Sequence, residues 1–393
     1  MIYLNCAATS LMRPPCVAQA VAQALTSLGS SSRGTSTRDL MAARGAYGCR
    51  VEIAALLGSS HPDRVIFAAN ATQALNTAIF GLVRAGDRVV ATVMEHNSVL
   101  RPLYALERQR GIDLVIVGLD DDGLLDYEQI ERVVEGARLV CCTHALVCCT
   151  HASNLTGDVV DIERVARIAH AAGALLLVDA SQSAGAYPVN MEAVGADVLC
   201  FTGHKALMGP TGTGGLIANP RIDIEPLLFG GTGVFSDQKD QPIAWPEHLE
   251  AGTLNGHGLA GLTQSASFIR AQGVDAIHKR LAALRAHFVA GLAQIPGITV
   301  YGSNACDHVA TVALNLAGCE SSALADALAW RYDIATRAGL HCAPLMHRAL
   351  GTQGAGSVRF SFGYYTTQEE IDAALAALSE LAAEDSDDAG DSR

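Results

Sequence analysis

The regular alternation of short apolar runs with helix-length segments constrains the fold of this chain most. Runs of four or five β-favouring residues recur through the first two-thirds of the sequence, separated by segments with helical spacing. Strand followed by helix, repeated in this way, is typical of an α/β fold with a mostly parallel sheet covered on both faces. The predicted strands are 64–68, 88–92, 114–117, 139–142, 174–178, 198–201 and 215–218, and the clearest predicted helices are 72–83 and 162–171.

The pattern changes after about residue 254. Long helices rich in Ala and Leu are predicted at 259–272 and 274–293, followed by strands near 309–315 and 357–361. No Pro-rich or Ser-rich linker marks the change, so we expect two tightly packed domains. The predicted units are a large domain at 1–256, a smaller α+β domain at 257–385 and an unstructured acidic tail at 386–393.

Composition and charge exclude several classes of protein. The 27 Lys plus Arg against 40 Asp plus Glu give a net charge of −13, and no basic run is present, so we expect no nucleic-acid partner. No apolar stretch approaches the ~18 residues that span a bilayer, and the first residues do not resemble a signal peptide. We therefore expect a soluble, cytoplasmic protein without a membrane partner, whose 11 Cys are mostly reduced thiols.

One internal repeat is perfect: residues 139–145 and 146–152 both read LVCCTHA. Thiolate and imidazole are zinc ligands, but adjacent Cys residues point to opposite faces of a strand, and no CxxC spacing occurs. We therefore predict no metal site and interpret the repeat as a duplicated buried strand. A shift of seven residues would reverse the faces of the strand, so the register stays open at this stage.

Two ionisable residues follow neighbouring predicted strands. Asp179 follows the apolar run 175–178, and Lys205 lies in a Gly-rich loop after 198–201. The carboxyl ends of parallel strands are where α/β sheets bind ligands. An amine for a Schiff base and an anion that keeps a ring nitrogen protonated are the pair that pyridoxal phosphate needs. The two residues therefore predict a pyridoxal-phosphate site.

Further motifs in a fixed order resemble the class V aminotransferase group of fold-type-I pyridoxal-phosphate enzymes, and within it the cysteine desulfurases and selenocysteine lyases. The resemblance covers nearly the whole chain and implies an α/β fold-type-I transferase. The family's usual DNAATS start reads NCAATS here, with neutral Asn5 in place of the Asp. The other matching motifs are FAANATQALN, VATVMEHNSVLRPL, THASNLTG, GTLN, RAGLHCAPLMH and VRFSFG.

The resemblance implies roles for cofactor-binding residues. Lys205 would form the Schiff base, Asp179 would pair with the pyridine nitrogen, and Gln182 would reach the phenolic oxygen. His96 would stack on the ring and shuttle protons, and Asn154 would contact the ring or the substrate. The implied phosphate ligands are Ala71 and Thr72 at a helix start, Thr202, His204, and Thr253 of GTLN, which with Asn255 would cross the interface of a homodimer.

Two further residues are assigned to the substrate. Arg359, on an alternating strand, would clamp the α-carboxylate with its guanidinium fork. Cys342 lies in a short loop beside His341 and near His347, either of which would favour its thiolate. In desulfurases a Cys at this place takes the substrate's sulfur as a persulfide, and the short loop implies delivery to a partner protein or a small thiol. Cys6 is a second candidate.

Four functions remain in competition at this stage. Cysteine desulfurase is the leading prediction, and a selenocysteine lyase that releases selenide and alanine is the next. Another C–S lyase or an aminotransferase on this fold is the third. A non-catalytic scaffold or sulfur-relay partner is the fourth, and Lys205, Asp179 and His204 argue against it.

Overall fold

The structure is a computed structural model that describes residues 1–29, 35–139 and 145–390, without the side chains of 135–139 and 385–390. Its strands are β1 (Ile2–Tyr3), β2 (Val65–Ala68), β3 (Arg88–Thr92), β4 (Asp113–Val117), β5 (Ala145–Thr150), β6 (Leu175–Asp179), β7 (Val198–Thr202), β8 (Gly214–Ala218), β9 (Ile298–Tyr301), β10 (Thr311–Leu316), β11 (Ile334–Ala335), β12 (Arg337–Gly339) and β13 (Ser357–Ser361). Its helices are α1 (Pro15–Ser27), α2 (Thr37–Leu57), α3 (Ala71–Leu82), α4 (Asn97–Arg110), α5 (Tyr127–Leu139), α6 (Ile162–Ala171), α7 (Gly256–Gln272), α8 (Val274–Leu292), α9 (Ser321–Tyr332), α10 (Pro344–Ala349) and α11 (Gln368–Gly390).

The large sheet has seven strands in the order β2-β8-β7-β6-β5-β3-β4. Strand β8 is antiparallel to both neighbours, and the other pairs are parallel. Its strands are apolar except at their ends, because helices cover both faces and each face carries its own hydrophobic cluster. The predicted α/β class with a mostly parallel sheet is confirmed.

The second sheet has four antiparallel strands in the order β12-β13-β10-β9. Helices α8 and α9 pack on it, and α11 packs against α8 and α9. Strand β1 pairs with β11 in a separate two-stranded sheet, and a bridge between Asn5 and Ser361 joins the N-terminal segment to β13 of the second sheet. Helix α7, by contrast, packs on α1 and α2 of the large unit. The domain boundary after residue 256 stays a prediction.

The duplicated segment folds differently from the predicted strand at 139–142. Helix α5 continues to Leu139, and the second copy supplies β5. The middle of the first copy, with Cys141, Cys142 and His144, lies outside the described residues. In β5 Cys148 and Cys149 are fully buried and belong to different hydrophobic clusters, on opposite faces of the sheet.

The prediction of an unstructured tail from residue 386 is wrong as far as Gly390, where α11 ends. The last segment is rich in Ala and Glu and contains no Pro, so helix propensity carries the helix beyond its packed part. Residues 391–393 lie outside the described range. Among the helices of the described ranges, none has the length and apolar character that a membrane crossing requires.

Candidate active site

A cavity opens where strands of the large sheet end, and side chains of the second sheet close its far side. Strands β3, β5, β6 and β7 end at this edge because they are parallel, so residues distant in sequence converge here. The structure brings ten of the predicted residues to the wall: Ala71, Thr72, His96, Asn154, Asp179, Gln182, Thr202, His204, Lys205 and Arg359. It does not bring Thr253 or Cys342 there.

Lys205 provides the amine of this cavity, in the loop after β7. Burial lowers the pKa of Lys205 to about 8, and the charges of Arg359 and Arg337 act in the same direction, against the attraction of Asp179. The first residues of the chain brace this loop, because the Ser10 hydroxyl donates to the Lys205 carbonyl oxygen at 2.8 Å. A lysine buried in this way becomes neutral and nucleophilic at a pH well below the one at which an exposed lysine loses its proton.

Asp179 ends β6 and is 4% exposed. Its Oδ1 accepts hydrogen bonds from the backbone N–H of Ser181 at 2.9 Å and from the Ser181 hydroxyl. Gln182 follows in the same turn, and its Nε2 donates to the Ala7 carbonyl oxygen at 3.2 Å. The turn therefore presents a fixed carboxylate and an anchored amide to the cavity.

Polar donors collect at the start of α3 and at the end of β7. Asn70 is the N-cap of α3, so the N–H groups of Ala71 and Thr72 begin the helix without partners inside it. The Thr72 hydroxyl lies 2.7 Å from the Ser98 hydroxyl. Thr202 is 3% exposed, yet its Oγ1 has no hydrogen-bond partner. A helix start and an unsatisfied buried hydroxyl together favour an anion at this place.

His96 is held as a neutral ring. It is the N-cap of α4, and its Nδ1 accepts the backbone N–H of Ser98 at 3.0 Å. Burial and the charge of Lys205 lower the pKa of His96 to about 4. Since Nδ1 is the acceptor, the ring proton resides on Nε2.

His204 is the second neutral imidazole of the cavity. Burial, followed by the charge of Lys205, lowers the pKa of His204 to about 4. Its Nδ1 lies 3.1 Å from Oγ1 of Thr9, whose hydroxyl also reaches the His204 carbonyl oxygen at 3.1 Å. The N-terminal segment therefore orients the ring as well as the loop.

Among the side chains that the structure describes, Arg359 is the largest that is almost fully buried, at 1% exposure. Its Nη1 donates to the Asn154 carbonyl oxygen at 2.8 Å, and its Nη2 donates to Asn5 Oδ1 at 3.3 Å. Nε has no partner, and Arg359 forms no ion pair within the described part of the chain. Burial lowers the pKa of Arg359 to about 9, with the charge of Arg337 adding to the effect. A buried guanidinium held by neutral groups fits an anionic ligand.

Two functional neighbours were missed from sequence. Arg337 of β12 lies opposite Arg359 in register and lines the same cavity. Glu95, just before His96, is fully buried; its Oε1 accepts from the Thr92 hydroxyl at 2.8 Å and from the Thr150 N–H at 2.9 Å. Burial raises the pKa of Glu95 to about 8. A charged residue three positions after the end of the apolar strand β3 was the available signal for Glu95, whereas the place of Arg337 depends on strand pairing.

Cys342 lies between β12 and α10, at the wall of a neighbouring cavity that shares Thr72, His96 and Ser98 with the first. Its φ of 58° is in the left-handed region that side chains rarely adopt. The carbonyl oxygen of Cys342 accepts the Asn97 N–H at 2.8 Å, which fixes this turn on the start of α4.

The group that contacts the Cys342 sulfur is a guanidinium and not the predicted imidazole. Arg337 Nη2 lies 3.9 Å from Sγ. His341 directs its Nε2 to the Arg337 carbonyl oxygen at 2.9 Å and its Nδ1 to His347 at 3.3 Å. Burial lowers the pKa of His341 to about 3. Adjacency in sequence was misleading here because the turn points neighbouring side chains in different directions.

The other two predicted residues lie elsewhere. Thr253 is exposed and lines a separate cavity with Leu228 and Asn255. Cys6 lines a small apolar cavity beside Gly363, and burial raises the pKa of its thiol to about 12. Cys6 therefore lacks the environment of a reactive cysteine.

The two sheets and the cavity between them define a fold-type-I transferase fold, as the sequence predicted. A solved structure described as the apo form of a cysteine desulfurase from Thermococcus onnurineus is similar, with a TM-score of 0.90 and 32% identity over 98% of this chain and 95% of that chain. The Aminotransferase class-V family profile matches residues 2–374. The chain belongs to this family.

Curated relatives match over almost their full length. A protein from Methanothermobacter thermautotrophicus named probable cysteine desulfurase is 35% identical over 97% of this chain and 94% of the relative. One from Pyrococcus abyssi with the same name is 33% identical over 97% and 94%. These names agree with the leading prediction, and no relative named here is a selenocysteine lyase.

Proposed function

We propose that this chain is a pyridoxal-phosphate-dependent cysteine desulfurase that converts L-cysteine to L-alanine and passes the sulfur to Cys342. The observation that carries the proposal is the position of Cys342, at a wall that shares His96 and Thr72 with the Lys205 cavity. An aminotransferase needs no thiol at this place, because amino-group transfer uses only the lysine and the cofactor.

The cavity residues fit pyridoxal phosphate. The orphaned hydroxyl of Thr202 and the first N–H groups of α3 suit a phosphate, and the fixed carboxylate of Asp179 suits a protonated pyridine nitrogen. Lys205, with its pKa lowered to about 8, suits the aldehyde. When bound, the cofactor supplies an electron sink for the substrate's α-carbon.

Each side chain then has a task. Arg359 is held by Asn5 and Asn154 and binds the substrate's α-carboxylate. Its guanidinium is available for this anion because it forms no ion pair with the described residues. The neutral amine of Lys205 takes the proton from the α-carbon and returns it. His96 holds a proton on Nε2, where it acts as a donor toward the reacting group.

Cys342 performs the step that distinguishes this reaction. Its thiolate attacks the substrate sulfur, an S–S bond forms, and the C–S bond breaks with its electron pair left on carbon. That carbon takes a proton, so cysteine plus the enzyme thiol become alanine plus the enzyme persulfide, with atoms and electrons balanced. Nη2 of Arg337 lies 3.9 Å from Sγ, so a positive charge lies beside the sulfur that attacks the substrate.

The partner assignments belong to the same proposal. We infer a homodimer, because exposed Thr253 lies outside its own subunit's cavity and large apolar side chains are exposed beside it. The sulfur is handed to an acceptor protein or a small thiol at the half-buried Cys342. Nine described cysteines form no disulfide, which suits a reducing compartment such as the cytoplasm.

In the test, the pure protein is incubated with L-cysteine or with L-selenocysteine. Alanine, pyruvate and any transaminated keto acid are then quantified. We expect alanine from cysteine, and one extra sulfur on the peptide that carries Cys342 after alkylation. Cys342→Ala should abolish alanine from cysteine but spare much of that from selenocysteine, because selenium leaves with less help.

The matched control is Cys319→Ser, another half-buried thiol of the smaller unit, which should leave both activities unchanged. Full cysteine activity in Cys342→Ala, or the extra sulfur on Cys6, would show that Cys342 is not the acceptor. Pyruvate or a transaminated keto acid as the main product would indicate a different reaction on this fold.

A further inference from the structure

Three metal-binding side chains from two separate loops meet away from the candidate active site. Asp158 lies in the loop after β5, and Cys306 and His308 lie in the loop before β10. One ligand atom of each residue lies within 4.8 Å of the other two. Asp158 is buried, and the other two are half-buried. Within the described ranges, these three are the Cys, His and carboxylate side chains that lie close enough together to bind one metal ion.

Backbone hydrogen bonds hold the two loops in register. The Val159 N–H donates to the Asp307 carbonyl oxygen at 2.8 Å, and the Val309 N–H donates to the Gly157 carbonyl oxygen at 2.9 Å. Asp158 and His308 are thereby paired as an antiparallel bridge. The site is formed before any ligand arrives, which reduces the entropy that binding must overcome.

The Asp158 carboxylate is incompletely satisfied. Its Oδ2 accepts from the Thr156 hydroxyl at 2.7 Å, but Oδ1 accepts no hydrogen bond although the residue is 3% exposed. His308 Nε2 lies 3.1 Å from Oδ1 and is directed to the Ser303 carbonyl oxygen at 2.8 Å. A buried carboxylate oxygen without a donor is unfavourable, and a cation at this point would satisfy it.

We propose that Asp158, Cys306 and His308 bind a divalent transition-metal cation with the coordination chemistry of zinc, at the junction of the two sheets. Carboxylate oxygen, thiolate sulfur and imidazole nitrogen are zinc ligands, and three of them leave the fourth tetrahedral position to water. Calcium and magnesium require more oxygen ligands than these residues offer. When the cation binds, the proton on Cys306 Sγ goes to solvent. The His308 proton, which Nε2 directs to the Ser303 carbonyl oxygen, moves to Nδ1, so that Nε2 is free to bind the cation.

Arg285 is the cation that competes for this site. Its charge interacts with Asp158 and Cys306, and its Nε is buried without a partner. A divalent cation between the same two groups would be repelled by the guanidinium. The site therefore predicts opposite effects for two kinds of substitution: removal of a ligand weakens binding, and removal of the Arg285 charge strengthens it.

The experiment titrates cobalt(II), which has visible bands when tetrahedral, into the full-length holoprotein. All variants carry Cys342→Ala to remove the reactive thiol. We expect one cobalt per chain, displaced by zinc, and an affinity at least about tenfold weaker in Cys306→Ser, His308→Gln and Asp158→Asn. Arg285→Gln should bind more tightly, and Cys319→Ser should match the parent.

Circular dichroism verifies that each variant is folded, and the near-isosteric Asp158→Asn and His308→Gln keep the test decisive if one variant is unstable. Unchanged binding in the folded ligand variants would overturn the proposal. The absence of tetrahedral cobalt bands in the parent would also overturn it. The same holds if the bands are lost when Cys141 and Cys142 are replaced but persist when Cys306 is replaced. None of these readouts depends on desulfurase activity, so the metal site and the proposed function fail independently.

Discussion

At the scale of single residues, burial decides which groups are charged in the cavity. Lys205 has a pKa lowered to about 8, so its neutral form grows as the pH rises through that value. We predict that capture of pyridoxal phosphate by the apoprotein accelerates with pH and levels off above about 8. Stopped-flow absorbance across this range measures the rate. A plateau only near the usual lysine pKa, about 10.4, would contradict the burial argument.

The chain offers matched controls for this prediction, because Lys239 and Lys279 are its only other lysines. After borohydride reduction, mass spectrometry should find the cofactor on Lys205 in the wild type, in Lys239→Ala and in Lys279→Ala. Lys205→Ala should carry no reduced adduct. An adduct on either remaining lysine in that variant would show that Lys205 is wrongly assigned.

A second prediction at this scale concerns how Glu95 makes the stability of the folded protein depend on pH. Its pKa is raised from 4.5 to about 8, so the folded protein holds a proton that the unfolded chain has lost between these values. The folded state is therefore destabilised progressively as the pH rises from about 4.5 to about 8. Glu95→Gln removes this dependence while keeping the acceptor oxygen toward Thr92 and Thr150.

Thermal unfolding of the wild type and Glu95→Gln measures the effect. The variant should gain in Tm relative to the wild type as the pH increases through this window, by on the order of 2 °C or more. A constant difference between the two proteins from about pH 5 to pH 8 would mean that Glu95 does not hold a proton in the folded state.

At the scale of elements, the duplicated segment is the feature to test. The second copy forms β5, whose residues Leu146 to Thr150 pair with Leu175 to Asp179 of β6. Because the copies are identical, deletion of 139–145 leaves a full LVCCTHA for the strand and the same route to Asn154. We predict that the deletion protein folds, binds the cofactor and keeps its turnover, with the end of α5 unwound to make the connection.

Circular dichroism, cofactor absorbance and alanine release measure this outcome together. The matched control is a seven-residue deletion of 146–148 and 172–175, which removes three residues of β5 together with the turn before β6 and its first residue, and should abolish folding. An insoluble or cofactor-free protein after deletion of 139–145 would show that the first copy has a structural task of its own.

At the scale of the whole molecule, the exposed apolar side chains favour association. Phe229 is 73% exposed and follows Leu228, which lines one cavity with Thr253. Apolar surface of this kind typically marks an interface between proteins. We predict that the protein is a dimer, and that Phe229→Asp weakens both the dimer and cofactor binding, because Thr253 then no longer reaches the partner's site.

Light scattering after size exclusion and fluorescence titration of the cofactor give the two readouts. Trp330→Asp is the control, since Trp330 is 88% exposed on α9, a helix of the other unit. A monomeric wild type, or a Phe229→Asp dimer with weakened cofactor binding, would contradict the proposed link between association and the site.

The local sequence pattern was sufficient to predict much of the secondary structure of this protein. Strands β3 and β13 and helix α6 have the bounds predicted from sequence. The other strands of the large sheet, except β5, differ by one residue at one or both ends. The positions of Asp179 at the end of β6 and of Lys205 in the loop after β7 also predicted the place of the cavity, since parallel strands bring their carboxyl ends to one edge. Alternation and turn chemistry act over a few residues, and a sequence displays these interactions directly.

Contacts between distant residues were decided only in the tertiary structure. The pairing of β12 with β13 places Arg337 beside Arg359, and the left-handed turn at Cys342 turns its sulfur toward Arg337 rather than His341. The joining of two loops creates the cluster of Asp158, Cys306 and His308. The copy that forms β5 was likewise selected by packing, because identical segments have identical local preferences, and only the rest of the fold distinguishes between them.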